Sequence, residues 1–73
     1  MKNFRFLIQD QFGANNIAND LRVQMYINRF HDVNIVAVDQ RNEVIVQVHE
    51  ANENVEEAVE SFMRDYQSDV IFE

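Results

Sequence analysis

Apolar residues recur along this chain at two spacings, and the points where the spacing changes mark its elements. Residues 3–9 alternate: Phe4, Phe6 and Ile8 fall on one side and Arg5, Leu7 and Gln9 on the other, the mark of a half-buried strand. Residues 10–16 hold the only glycine, Gly13, and the adjacent Asn15 and Asn16. They predict a loop that ends in a helix N-cap at Asn15 or Asn16. Residues 17–30 carry two stripes on one helical wheel. Ile17, Ala18, Leu21 and Met25 form the first; Val23, Tyr26, Ile27 and Phe30 form the second, on the other side. Residues 21–27 also alternate and are compatible with a strand, but a crossover connection needs a helix, so a helix is expected.

Residues 32–39 and 43–49 are β-branched runs and predict two strands. Gln40, Arg41 and Asn42 between them make a hairpin-length connection, with Asn42 suited to positive φ. In the second run Val44, Val46 and Val48 share a face, and Ile45, Gln47 and His49 share the other. Residues 52–66 then return to helical spacing, with Val55, Ala58, Val59, Phe62, Met63 and Tyr66 in a single stripe. Asn52 or Asn54 is placed to cap that helix, and Glu53, Glu56 and Glu57 sit where the helix dipole favours acids. Gln67 and Ser68 break the pattern, and residues 69–72 predict a short last strand.

The resulting order, β-α-β-β-α-β with a central hairpin, resembles the ferredoxin-like split βαβ arrangement of the α+β class. It implies one domain over residues 1–73: a four-stranded antiparallel sheet, the fourth strand beside the first, then the third, then the second, with both helices on one face. Phe4, Phe6, Ile8, Val44, Val46, Val48, Val70 and Phe72 are the expected strand contribution to the core. Should residues 69–72 not pair, a three-stranded variant results.

Composition narrows the classes of function. A chain of 73 residues buries only about 60% of its unfolded surface, so its core has to be efficient or the protein has to associate. A hydrophobic fraction of 47% is ample for a folded core. Without cysteine there is no disulfide framework, thiolate metal site or cysteine nucleophile. No apolar run is long enough to span a bilayer, and a cytoplasmic location is the default expectation.

The formal charge of −7 is not spread evenly. Acids and bases balance before residue 50, whereas residues 50–73 hold Glu50, Glu53, Glu56, Glu57, Glu60, Asp65, Asp69 and Glu73 against Arg64 alone. Such a chain is repelled by nucleic-acid phosphates and by anionic membranes, and is matched by a protein partner with a basic surface.

The search for chemistry is mostly negative. One glycine cannot build a phosphate-cradling loop. Ser61 and Ser68 have no histidine near them in sequence, and there is no threonine. His49, Glu50 and Glu53 cluster at a strand–helix boundary, but they read as a strand end and a helix start rather than as a metal site. No cofactor is implied. The open-face positions of the central strands, Arg5, Leu7, Gln9, Ile45, Gln47 and His49, lack the aromatics that RNA-binding domains of this architecture use.

Two features remain. Leu7, Ile45 and Ile71, with either Ile35 and Ala37 or Val36 and Val38, would place an apolar patch on the open sheet face, a candidate homodimer interface. Glu53 and Glu57, and Glu56 and Glu60, stand four residues apart, about 6 Å along a helix. That spacing is comparable to the separation of successive phosphates on a nucleic-acid strand. Only Glu60 and Arg64 offer an ion pair within the helix, so the acids do not serve helix stability. The expectation is a non-enzymatic interaction protein with Glu53, Glu56, Glu57 and Glu60 as its partner-binding residues. In size and charge it resembles small, acidic, cysteine-free virus-encoded inhibitors that occupy basic nucleic-acid-binding surfaces. The alternative is a homo-oligomeric regulatory or structural module.

Overall fold

The structure is a computed structural model that describes residues 2–49 and 52–72. Its elements follow the order β1 (Lys2–Ile8), α1 (Ala14–Ile27), β2 (Val33–Val38), β3 (Glu43–Val48), α2 (Glu53–Met63) and β4 (Gln67–Phe72), with a 3-10 turn over Asp39–Arg41. The four strands form one antiparallel sheet in the order β2-β3-β1-β4. This is the ferredoxin-like α+β arrangement that the hydrophobic pattern implies.

Register decides which side chains meet the helices. Phe4 lies opposite Val46, and Phe6 opposite Val44. Ile35 also lies opposite Val46, from the other side of β3. These residues are buried with Ile17, Ala18, Leu21 and Met25 of α1 and with Val55, Val59 and Met63 of α2 in one core. The open face is then fixed by the same alternation. One cross-strand row across it reads Val36, Ile45, Arg5, Ile71, and the next reads Val38, Glu43, Leu7, Asp69. Of the two alternatives for β2, the open face therefore carries Val36 and Val38.

Several details correct the sequence reading. Residues 14–27 form α1, three residues earlier than expected at each end. Its N-cap is Gly13, which makes no side-chain cap bond; the first free N–H, that of Ala14, donates instead to Oδ1 of Asn42 at 2.8 Å. Asn42 takes the left-handed conformation, φ 51°, and its Nδ2 lies 3.0 Å from the Phe12 carbonyl and 3.3 Å from that of Ile8. A hairpin residue thus caps a helix whose own sequence carries two plausible caps. Phe30 lies outside α1. Its N–H reaches back to the Met25 carbonyl and that of Arg29 to the Tyr26 carbonyl, the pair of bonds that closes a Schellman-type helix end.

The last strand is longer than expected, because Gln67 and Ser68 belong to it. Gln9 fixes its start: its backbone N–H donates to the Tyr66 carbonyl at 2.9 Å, and its Nε2 donates to the carbonyls of Asp65 and Gln67 at 3.2 Å. Val70 is only half-buried, and Phe72, expected in the core, is 62% exposed. β4 is an edge strand, so its far side has no neighbour to close over these residues. Phe72 still packs edge-on against Phe4, with ring centroids 5.3 Å apart.

Candidate acidic interface

The acidic surface is built on α2. Asn52 adopts an extended conformation before the helix, and its Oδ1 accepts from the N–H groups of Asn54 at 3.0 Å and Val55 at 3.4 Å. This starts the helix and fixes its rotation. Val55, Val59 and Met63 face the core, so at 100° per residue Glu53, Glu57 and Glu60 fall on the outward side together. All three are exposed and have no ion-pair partner among the described residues. They form a ridge of unneutralised charge.

Glu56 behaves differently. It lies on the flank of α2 that faces β1, half-buried, where its Oε1 accepts from Lys2 Nζ at 3.0 Å. The sequence reading placed it among carboxylates without cationic partners; a lysine fifty-four positions away in the chain supplies one. Since Lys2 is itself largely solvated, the pair is worth no more than about 1 kcal/mol. Its consequence is on charge: Glu56 is partly neutralised, and the ridge is carried by Glu53, Glu57 and Glu60.

Beside the ridge, between α2 and β4, run two grooves of about 220 Å³ each that share Glu60 and Phe72. One continues to Val70, Gln67 and Arg64, the other to Lys2, Phe4 and Glu56. Phe72 was read as core, and its role as a groove wall was missed. The available signal was its place in a predicted terminal strand, which has only one neighbour.

The open sheet face gathers Leu7, Ile45 and Ile71 on one side of the sheet but does not join them into one patch. Arg5 stands between Ile45 and Ile71 in their row, and Leu7 stands between Glu43 and Asp69 in the next. Glu43 is only 6% exposed. Among the described residues its Oε2 accepts no hydrogen bond, and it lies 3.9 Å from Arg5 Nε and 4.0 Å from Arg41 Nη1. A carboxylate held between two arginines sits where an uninterrupted apolar interface would need an aliphatic side chain.

His31 and Asp32 line a groove of about 170 Å³ with Arg29, Val48, Asn52 and Val55. No group of three or more His, Asp or Glu side chains placed to hold a metal ion occurs among the described residues, and Glu50 of the His49–Glu50–Glu53 cluster lies outside them. No helix among the described residues is long and apolar enough to cross a membrane. No family model, curated protein or solved structure matches the chain, so the chemistry of this surface rests on its own geometry.

Proposed function

We propose that this domain is a non-enzymatic interaction protein that binds a protein partner with a basic surface through the outward side of α2. The observation that carries this reading is the ridge of Glu53, Glu57 and Glu60, exposed together and without an ion-pair partner among the described residues. Like-charge neighbours at helical spacing cost a helix a few tenths of a kcal/mol each, so folding does not account for them. Such a ridge raises the association rate with a basic partner and selects against acidic ones. Of its carboxylates, Glu53 and Glu57 stand about 6 Å apart along the axis, a spacing suited to a groove that otherwise receives a phosphate backbone, and Glu60 follows about 4.5 Å further on. An inhibitor of a nucleic-acid-binding protein, virus-encoded or not, would use such a surface.

The test is capture of partners from the native host by the wild-type domain and by Glu53→Lys/Glu57→Lys/Glu60→Lys. A basic partner retained by the wild type at low salt, released at high salt and lost from the variant is the expected result. Equal retention by a folded variant would remove the reading.

A homodimer through the open sheet face is the second reading. The exposure of Val36 and Ile71, 43% and 39%, favours it, and Arg5 between Ile45 and Ile71 opposes it. Light scattering at high concentration decides: a monomer dismisses it.

A further inference from the structure

A sheet with two outer strands has two edges at which another strand could add, and here the two are closed unequally. In an antiparallel sheet the N–H and C=O of one residue point to the same side, and the side alternates along the strand. On β2 the outward-pointing Ile35 carbonyl is taken by Arg22, whose Nη2 donates to it at 2.7 Å while Nη1 donates to Asn19 Oδ1 at 2.7 Å. A guanidinium anchored at both ends blocks the middle of that edge. On β4 the outward-pointing Val70 N–H is held only by its neighbour, donating to Asp69 Oδ1 at 2.8 Å. By the same alternation Phe72 also faces outward. The strand Gln-Ser-Asp-Val-Ile-Phe has neither the lysine nor the proline that blunt exposed edges.

We propose that β4 is a strand-addition site for an extended cationic segment of a protein partner. This rests on the reading of the partner as basic and specifies how it is held. An incoming strand would alternate its side chains between the two faces of the sheet. Those on the helix side would lie over Phe72 and Val70 within reach of Glu60, a setting that fits Arg or Lys, which pairs with the carboxylate and stacks on the ring. Those on the open side would meet Ile71, which fits an aliphatic residue. The carbonyl of the incoming strand would displace the Asp69 carboxylate from the Val70 N–H and take that donor into the ladder. A second copy of β4 is a poor occupant, because it would set Asp69 and Glu60 against their own counterparts.

The experiment uses the isotope-labelled full chain and two acetylated synthetic peptides of equal composition, one alternating Lys and Val, the other with the lysines and valines in separate blocks. The expected result is that the alternating peptide binds about tenfold more tightly or better, and protects the Val70 and Phe72 amides from hydrogen exchange. Val70→Pro, which removes an outward N–H without breaking the bond ladder to β1, and Phe72→Ser should each cost about that factor. Equal binding of the two peptides, or protection confined to residues 53–60, would overturn strand addition while leaving the acidic-surface reading in place. Failure of both peptides to bind at low salt would overturn both. Protection of β4 that grows with protein concentration in the absence of peptide would identify a second copy as the occupant and overturn the proposal.

Discussion

Asn42 joins three parts of the chain with one side chain. Its backbone occupies the left-handed region that asparagine tolerates, its Oδ1 caps α1 at Ala14, and its Nδ2 holds the carbonyls of Ile8 and Phe12. Replacing it with glycine keeps the backbone conformation and removes every side-chain bond. With the cap worth about 1 kcal/mol and a net bond about 0.5–1.5 kcal/mol, Asn42→Gly should lower stability by about 2–3 kcal/mol in urea titration. Arg29 shows the opposite balance. It holds φ 60° at the end of α1, in the position where glycine has no steric cost. Arg29→Gly should therefore raise stability by up to about 1 kcal/mol, measured as a higher midpoint of thermal unfolding. A lower midpoint would mean that the Arg29 side chain contributes contacts that outweigh the strain.

At the scale of elements, the hydrophobic pattern carried most of the fold. Strands β1, β2 and β3 and helix α2 lie within three residues of their expected bounds, because β1 and α2 each have one apolar and one more polar face and β2 and β3 are β-branched runs bounded by polar residues. α1 was harder to read since it has two apolar stripes, and local spacing cannot say which one faces the sheet. The structure buries Ile17, Ala18, Leu21 and Met25 and leaves Tyr26 77% exposed beside the exposed Val23 and Ile27. Leu21→Ala should then cost about 2–5 kcal/mol by leaving a cavity, while Tyr26→Ser stays within about 0.5 kcal/mol of wild type. Equal losses at the two sites would place the helix in the wrong rotation. What the sequence could not show were long-range contacts: the cap on α1 supplied by Asn42, the hold of Gln9 on the start of β4, and the pairing of Lys2 with Glu56. Each depends on residues brought together by sheet topology. The candidate site was legible in part for the same reason. Helical spacing put Glu53, Glu57 and Glu60 on one side and Glu56 toward the flank, but nothing local showed that Lys2 meets Glu56 there.

For the molecule as a whole, the separation of roles is the main result. The buried stripe of α2 completes the core, and its outward side presents three carboxylates with no ion-pair partner among the described residues, in a protein whose formal charge is −7. Because these groups are solvated, removing their charge should leave the fold intact, which allows binding to be tested apart from stability. The most direct measurement is the affinity of the captured basic partner, across a range of salt, for the wild type and for Glu53→Gln/Glu57→Gln/Glu60→Gln. With each exposed charge worth about 0.5 kcal/mol, the account predicts about tenfold weaker binding for the variant at low salt and a flatter dependence on salt. A folded variant that binds with the same affinity and the same salt dependence would contradict it.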